Sequence, residues 1–270
     1  MQNLTYEEIF EFINANILQP FYELRLKRLN ELKLHNVLQR KNPYLFKAKN
    51  ISTAQDYVIQ ILQAHLSSQE ETIFGGYLEQ LARFICGRVY GGFKSSADGI
   101  DLEFEKDSVR YIVAIKSGPY WANSQQIARM RSNFQKAKRV LGTNSSKTNI
   151  IAVNGCCYGR DNNPDKGDYV KYCGQEFWSF ISGDDQLYMR IIEPLDEEAS
   201  QKDEDFKAAY SKAVNLLTHQ FLDEFCSEGI IDWVKLLSFV SSKSMSQKVL
   251  AKEKHKTAIK TTRKKNVRER

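Results

Sequence analysis

The sequence predicts an α/β fold in which a central mixed β-sheet is flanked by helices, with helical additions at both ends of the chain. Helical periodicity dominates the residues before Gly91, and a β-hairpin pattern follows at residues 99–115. An amphipathic helix and another buried strand come next, so helices and strands alternate through the middle of the chain. A chain of 270 residues is long enough for one such domain with additions or for two small domains.

Several helices are expected before the strands. Residues 5–39 carry apolar side chains at helical spacing, and Pro20 is expected to separate two helices there. A helix is predicted from Thr53 to about Leu66, and another from about Glu71 to Tyr90. The paired glycines that follow Tyr90 end the helical part of the chain.

Strand patterns follow these helices. Residues 99–104 alternate between apolar and polar side chains, and Val109–Ile115 is a β-branched and aromatic run typical of a central strand. The turn at Glu105–Ser108 should connect them into a hairpin. An amphipathic helix then extends to about Leu141, and residues 148–153 form another buried strand.

The pattern divides the chain into four parts. They are an N-terminal helical region (1–68), an α/β core with a long polar loop (69–195), a C-terminal helical region (196–248) and a basic tail (249–270). A short aromatic helix is expected at 174–183, inside the core, and two helices at 205–227 and 230–241. The tail lacks apolar periodicity, so we expect it to be disordered.

Composition excludes several classes of protein. No stretch approaches the roughly 20 apolar residues of a membrane helix, and the start MQNLTYEEIFEF lacks the basic segment of a secretory signal. Neither disulfide nor zinc spacing is present among the five cysteines, which are Cys86, Cys156, Cys157, Cys173 and Cys226. We therefore expect reduced thiols in a cytoplasmic protein.

Basic residues are unevenly placed. The net charge is +6, and residues 252–270 hold nine Lys or Arg against two Glu, so the rest of the chain sums to −1. No acidic residue stands between Asp107 and Asp161, whereas nine basic residues do. This interval predicts a surface that faces phosphates, because each neutralised phosphate releases counterions. The tail either binds nucleic acid non-specifically or only keeps the chain in solution.

The hairpin brings an acid and a base together. Asp101 begins its first strand and Lys116 ends its second, so the carboxylate and the ammonium should meet at one end of the sheet. A carboxylate there can hold a divalent cation, and a neighbouring lysine can orient an attacking water and stabilise charge on a phosphate. The alternatives are that Asp101 only caps a turn and that Lys116 is only an exposed strand end.

This arrangement resembles the PD-(D/E)xK nuclease core. The motif is Gly99-Ile100-Asp101 followed by Val113-Ala114-Ile115-Lys116, and the matching element order covers about residues 70–155. Longer segments are similar to one group of type II restriction endonucleases: GIDLEFEKD, RYIVAIKSGPYWANSQQI and GDYVKYCGQEFWSFISG. The resemblance implies a restriction-endonuclease-like fold, double-stranded DNA as substrate, Mg²⁺ as cofactor and 5′-phosphate products. It also makes the backbone carbonyl of Ile115 a metal ligand.

One position departs from the pattern of the class. Ala114 stands where the second acid should be, and an alanine cannot bind a metal. Either the core is inactive or another acid reaches the same space. Glu79, on the helix before the hairpin, is the first candidate, since nucleases of this class often place a glutamate there; Glu71 and Glu103 are the other options. The alternative for Glu79 is a simple pair with Arg83, four residues later on the helix.

DNA contacts are expected from the segment after Lys116, from the helix that follows it and from the loop 154–168. Amides, hydroxyls and bases can contact the phosphate backbone, while Arg, Lys and Asn can recognise base edges in the major groove. The candidates are Ser117, Tyr120, Asn123, Ser124, Gln125, Arg129, Arg131, Lys136, Asn154, Tyr158, Arg160, Asn162 and Lys166. The alternatives are a helix cap, a solvated helix face and an ordinary surface loop.

The leading hypothesis is a homodimeric restriction endonuclease, because a palindromic DNA site matches the two-fold symmetry of a protein dimer. A GG(N/W)CC-like site is implied by the resemblance alone, and a cognate DNA methyltransferase is the expected genetic partner. The alternatives are a structure- or damage-specific repair nuclease with the same core and a DNA-binding protein whose nuclease core has decayed.

Overall fold

The computed structural model describes residues 4–143, 149–197 and 199–242. Their helices are α1 (Tyr6–Ile13), α2 (Gln19–Asn30), α3 (Leu34–Leu38), α4 (Pro43–Ala48), α5 (Ala54–Tyr90), α6 (Ser124–Thr143), α7 (Gln175–Ser182), α8 (Leu187–Arg190), α9 (Glu193–Glu197), α10 (Ala199–Phe225) and α11 (Trp233–Ser241). Their strands are β1 (Leu102–Lys106), β2 (Val109–Lys116), β3 (Asn149–Cys156), β4 (Val170–Cys173), β5 (Cys226–Ser227) and β6 (Ile230–Ile231).

The described residues divide into two compact units. One lies within Met1–Leu32 and Gln63–Ala213, and the other within Lys33–Leu62 and Val214–Arg270. The second unit has an aromatic core, in which Tyr57 stacks on Phe221 with ring centroids 4.8 Å apart. The predicted basic tail, 249–270, lies outside the described residues. Of the helices in the described ranges, none has the length and apolar character needed to cross a membrane.

The first unit contains a four-stranded sheet in the order β1-β2-β3-β4. β1 is antiparallel to β2, whereas β3 is parallel to both of its neighbours, so the sheet is mixed. Asp107 and Ser108 join β1 to β2 with φ angles of 53° and 61°, the left-handed geometry of a tight hairpin turn. The hairpin thereby places the start of β1 beside the end of β2.

Helices cover both faces of this sheet. Val113 and Ile115 point into a core shared with α1, α5 and α7, whereas Ile112 and Ala114 point into a second core formed with α6. The alternation follows from the two-residue period of a strand. A mixed sheet between helical layers confirms the predicted fold class, a restriction-endonuclease-like α/β core.

One predicted helix break is absent. α5 is continuous where two helices were expected, because the polar segment 67–70 contains no glycine or proline and apolar residues before and after it are buried. The division predicted at Pro20 falls at the junction of α1 and α2. Pro20 lies in the first turn of α2, and a π-helical segment, Asn14–Leu18, connects the two helices. The predicted division at 68/69 falls inside α5 and stays a prediction.

The region after α6 also differs from the prediction. β3 extends to Cys156, so Asn154 lies in a strand and not in the predicted loop. β4 was not predicted, because four residues of mixed polarity carry little strand signal. The short aromatic helix was predicted, and it corresponds to α7.

Candidate active site

The two residues predicted from the hairpin meet at the end of the sheet. Nζ of Lys116 lies 3.6 Å from Oδ2 of Asp101, and both side chains are partly exposed. The backbone N–H of Ile115 donates to the same Oδ2 at 2.7 Å, and Nζ of Lys116 donates to the carbonyl of Ile115 at 2.8 Å. The backbone of β2 therefore holds the carboxylate beside the ammonium, at an edge that solvent can reach.

Helix α5 approaches this edge at Gly75. A Cβ atom on Gly75 would lie 2.7 Å from Oγ of Ser117, the residue after the lysine, so glycine permits the close approach. Glu79 follows one helical turn later, on the same side of the helix. Its Oε1 lies 3.7 Å from Nη2 of Arg83, and its carboxylate also interacts with the charges of Asp101 and Lys116. Glu79 therefore pairs with Arg83 and also lies within electrostatic reach of Asp101 and Lys116.

The surroundings of Glu79 disfavour the charged form of its side chain. Burial raises its pKa above the ordinary value, and the negative charge of Asp101 raises it further. Arg83, Lys116 and Lys94 lower the pKa without cancelling the increase. Carboxyl groups perturbed by burial and by a second carboxylate are concentrated at functional sites. This property favours Glu79 as the acid that works with Asp101.

The other two candidate acids differ from Glu79. Glu103 is buried, and both of its oxygens are engaged: one accepts a hydrogen bond from Ser95 and the other from Nη2 of Arg110 at 2.8 Å. Glu71 is exposed on α5, two turns before Glu79. It lines a cavity of about 670 Å³ together with Ser117 and several aromatic side chains.

The position of the absent acid lies in a closed part of the molecule. Ala114 is 1% exposed and belongs to the core against α6. The side-chain amide of Asn154 donates to the carbonyl of Ala114 at 3.2 Å and accepts from Nε1 of Trp121 at 3.2 Å. The Trp121 ring in turn lies 5.3 Å from Nζ of Lys116. Asn154 therefore supports the site from inside the protein, and at 1% exposure its amide does not face solvent.

The segment after the lysine packs tightly against the loop that follows β3. The backbone N–H of Tyr158 donates to the carbonyl of Ser117 at 3.1 Å. A Cβ atom on Gly118 would lie 2.4 Å from Cζ of Tyr158, and one on Gly159 would lie 2.5 Å from the ring of Pro119. Two glycines thus allow the two segments to lie against each other.

Most of the predicted DNA-binding residues are exposed: Tyr120, Asn123, Ser124, Gln125, Arg129, Arg131, Lys136, Tyr158, Arg160 and Asn162. Ser117 and Lys166 are partly exposed, and Nζ of Lys166 lies 3.0 Å from Oδ1 of Asp161. Arg131 is paired with Asp168 at 3.5 Å. Asn123 caps α6, since its Oδ1 accepts the N–H of Gln126 at 3.0 Å.

The residues at the edge of the sheet fit a hard divalent cation. Asp101, Glu79 and the carbonyl of Ile115 all offer oxygen, and Mg²⁺ is commonly held by one or two carboxylates, with waters and substrate phosphates as its other ligands. A cation here would also relieve the mutual repulsion that contributes to the raised pKa of Glu79. Within the described ranges, no three His, Cys, Asp or Glu side chains cluster as a metal site. Two carboxylates and one carbonyl would leave the remaining coordination positions of such a cation to water.

Sequence reasoning missed three contributors to this site. Gly75 had a signal, because a glycine inside a helix costs about 1 kcal/mol relative to alanine and so indicates a close approach. Lys171, whose Nζ donates to the carbonyl of Pro119 at 3.0 Å, had no such signal, since β4 was not predicted. Cys157 also lacked one: it donates its N–H to the carbonyl of Lys116 at 2.9 Å, and burial raises the pKa of its thiol to about 12.

The chain matches the model of a known protein family. Residues 7–203 match the model of the family described as Type II restriction endonuclease EcoO109I. The matched region includes the four-stranded sheet together with Glu79, Asp101 and Lys116. No curated protein matches the chain.

Proposed function

The chain belongs to the family of the Type II restriction endonuclease EcoO109I, whose members are site-specific DNA nucleases. We propose that this protein is a Mg²⁺-dependent enzyme that cuts both strands of DNA at a short palindromic site. The observation that carries the proposal is the pairing of Asp101 with Lys116 at the exposed end of the hairpin, with Glu79 in the same electrostatic field. Phosphodiester hydrolysis needs these parts: carboxylates for a cation and a cationic group for the phosphate and the water.

Each residue has a defined role in the proposal. Asp101 and Glu79 would hold Mg²⁺ with the carbonyl of Ile115, and a cation held there would supply positive charge for the phosphate and for the ionisation of water. Lys116, kept in place by Asp101 and Ile115, orients the attacking water and stabilises the phosphate oxygens. In-line attack by this water on phosphorus forms one P–O bond and breaks the bond to O3′, which takes up a proton released by the water, so that a 5′-phosphate and a 3′-hydroxyl remain.

DNA is proposed to lie against α6 and the loop after β3. Arg129 and Lys136 line a cavity of about 570 Å³ together with Asp98 and Gly99, so two basic side chains lie beside the segment that leads into Asp101. Arg160 and Asn162 are exposed on the loop and are the proposed base-contacting residues. We no longer propose Asn154 as a DNA-contacting residue, because its buried amide hydrogen-bonds to Ala114 and Trp121.

The proposal extends to the oligomeric state, the cellular role and the recognition site. A cytoplasmic homodimer would cut its site in foreign DNA, and a cognate methyltransferase would protect the same site in the host. The resemblance in sequence favours a GG(N/W)CC-like site. The proposed parts of the chain remain the helical region 1–68, the PD-(D/E)xK core with its recognition loop 69–195, the helical region 196–248 and the tail 249–270.

The first experiment is digestion of phage DNA by the purified protein, with Mg²⁺ or with EDTA. We expect discrete fragments with Mg²⁺ alone, whose sequenced ends give the site and the 5′-phosphates. Asp101→Ala and Lys116→Ala should each lower cleavage by about 10³-fold or more, while binding in a shift assay changes little. Glu105→Ala, an exposed acid on the same hairpin, is the matched control.

Each other outcome has its own meaning. Cleavage by either site variant at the wild-type rate would show that the site is elsewhere. Salt-sensitive binding without any cleavage would indicate a decayed core, with Ala114 marking the loss. A preference for branched or damaged DNA over sequence would indicate a repair nuclease.

A further inference from the structure

Asp161 connects the proposed recognition loop to the segment that follows Lys116. Its Oδ1 accepts a hydrogen bond from Nζ of Lys166 and another from the backbone N–H of Asn163, both at 3.0 Å. Its Oδ2 lies 3.2 Å from Nζ of Lys171. That same Nζ donates to the carbonyl of Pro119 at 3.0 Å, so one carboxylate and one ammonium join the two segments.

This connection is shielded from water. The side chain of Asp161 is 14% exposed and that of Lys171 is 15% exposed, so solvent screens their attraction less than it screens a surface pair. Burial raises the pKa of Asp161, but the hydrogen bonds from Lys166, Asn163 and Lys171 outweigh burial and hold the pKa below its ordinary value. Burial lowers the pKa of Lys171, but the hydrogen bond to Asp161 and nearby negative groups outweigh burial and raise that pKa above its ordinary value. Both partners are therefore charged at neutral pH, and removing one leaves the other charge poorly compensated.

We propose that Asp161 is a positioning residue that couples recognition of the DNA site to cleavage. Arg160 and Asn162, its neighbours in the chain, are exposed, so the carboxylate orients the residues proposed to contact bases. Through Lys171 it also holds Pro119, three residues after the catalytic lysine. The inference rests on the proposed function. It adds that a loop displaced by a wrong base pulls on the segment beside the active site, so that mismatched DNA is cut slowly as well as bound weakly.

The test uses Asp161→Asn, with Asp165→Asn as the matched control. Asp165 is exposed on the same loop, and its Oδ1 accepts the N–H of Gly167 at 2.8 Å. Single-turnover cleavage is measured on the wild-type site and on sites with one base changed. For Asp161→Asn we expect the ratio between these rates to fall by roughly tenfold or more, while Asp165→Asn keeps the wild-type ratio.

Three further variants separate coupling from a general loss of structure. Lys171→Met should reduce the ratio as Asp161→Asn does, and the double variant should be no worse than either single one, because both act through one pair. Asp161→Glu, which keeps the charge, should restore part of the discrimination. Additive effects, or a wild-type ratio in Asp161→Asn, would overturn the proposal.

Hydrogen exchange in the free protein tests the coupling without any activity. In Asp161→Asn, amides at residues 117–121 and 158–166 should exchange faster together, whereas in Asp165→Asn those at 117–121 should keep the wild-type rate. Unchanged exchange at 117–121 in Asp161→Asn would show that the two segments are not coupled. A wild-type protein that cuts no DNA would instead contradict the proposed function, and exchange would still decide whether Asp161 joins the segments.

Discussion

Among single residues, Glu79 combines a cost to the fold with a proposed role in the reaction. Burial, and then Asp101, raise its pKa, so the folded protein holds its proton more tightly than the unfolded chain does. Stability therefore decreases as pH rises from the unfolded to the folded pKa value. We predict that Glu79→Gln raises Tm at neutral pH, and that the difference disappears at acidic pH, where the native glutamate is also neutral. Thermal unfolding across this pH range measures it.

The same substitution should impair catalysis, because an amide is a poor ligand for Mg²⁺. We predict a decrease of about 100-fold or more in the cleavage rate for Glu79→Gln, measured under single-turnover conditions. Glu71→Gln, two turns earlier on α5, is the comparison. If Glu71→Gln abolished cleavage and Glu79→Gln did not, Glu71 would be the second acid and Glu79 only a partner of Arg83.

At the scale of elements, the contact between α5 and the end of β2 brings the site together. Any side chain at Gly75 meets Oγ of Ser117, whereas a Cβ on Gly76 has no neighbour within 4 Å. We predict that Gly75→Val lowers the cleavage rate by about tenfold or more, while Gly76→Val retains it. Both variants make the same change in helix propensity, so any difference in rate reflects the contact with Ser117. Equal rates would show that the approach of α5 does not position the site.

The predictable elements were those with local signals. The turn at Asp107 and Ser108, the alternation in β1 and the apolar stripe of α6 are local patterns of neighbouring residues, and all three elements form. The first strand is displaced, since it was predicted at residues 99–104 and β1 covers Leu102–Lys106. The unbroken length of α5 and the existence of β4 depend on packing partners far along the chain. Patterns of neighbouring residues do not reveal those partners, so the sequence predicted neither the continuous α5 nor β4.

For the whole molecule, the distribution of the site bears on how two strands are cut. Asp101, Lys116 and Glu79 all belong to one compact unit, so a single chain carries a complete candidate site. A homodimer would then hold two sites, one for each strand. We predict a solution mass of twice 31.2 kDa by sedimentation, and conversion of a one-site plasmid to linear DNA with little nicked intermediate. A monomer that accumulates nicked DNA would contradict the dimer.

The sequence by itself determined the fold class, the hairpin and the pair Asp101 and Lys116, because strand periodicity and turn chemistry act between near neighbours. Only the tertiary structure decided what surrounds that pair. Glu79, on a helix, lies close enough to Asp101 for their charges to interact, and Asn154 is buried. Lys171 connects Asp161 to the carbonyl of Pro119. These relations depend on which faces of distant elements are buried together, and packing of the whole chain sets that choice.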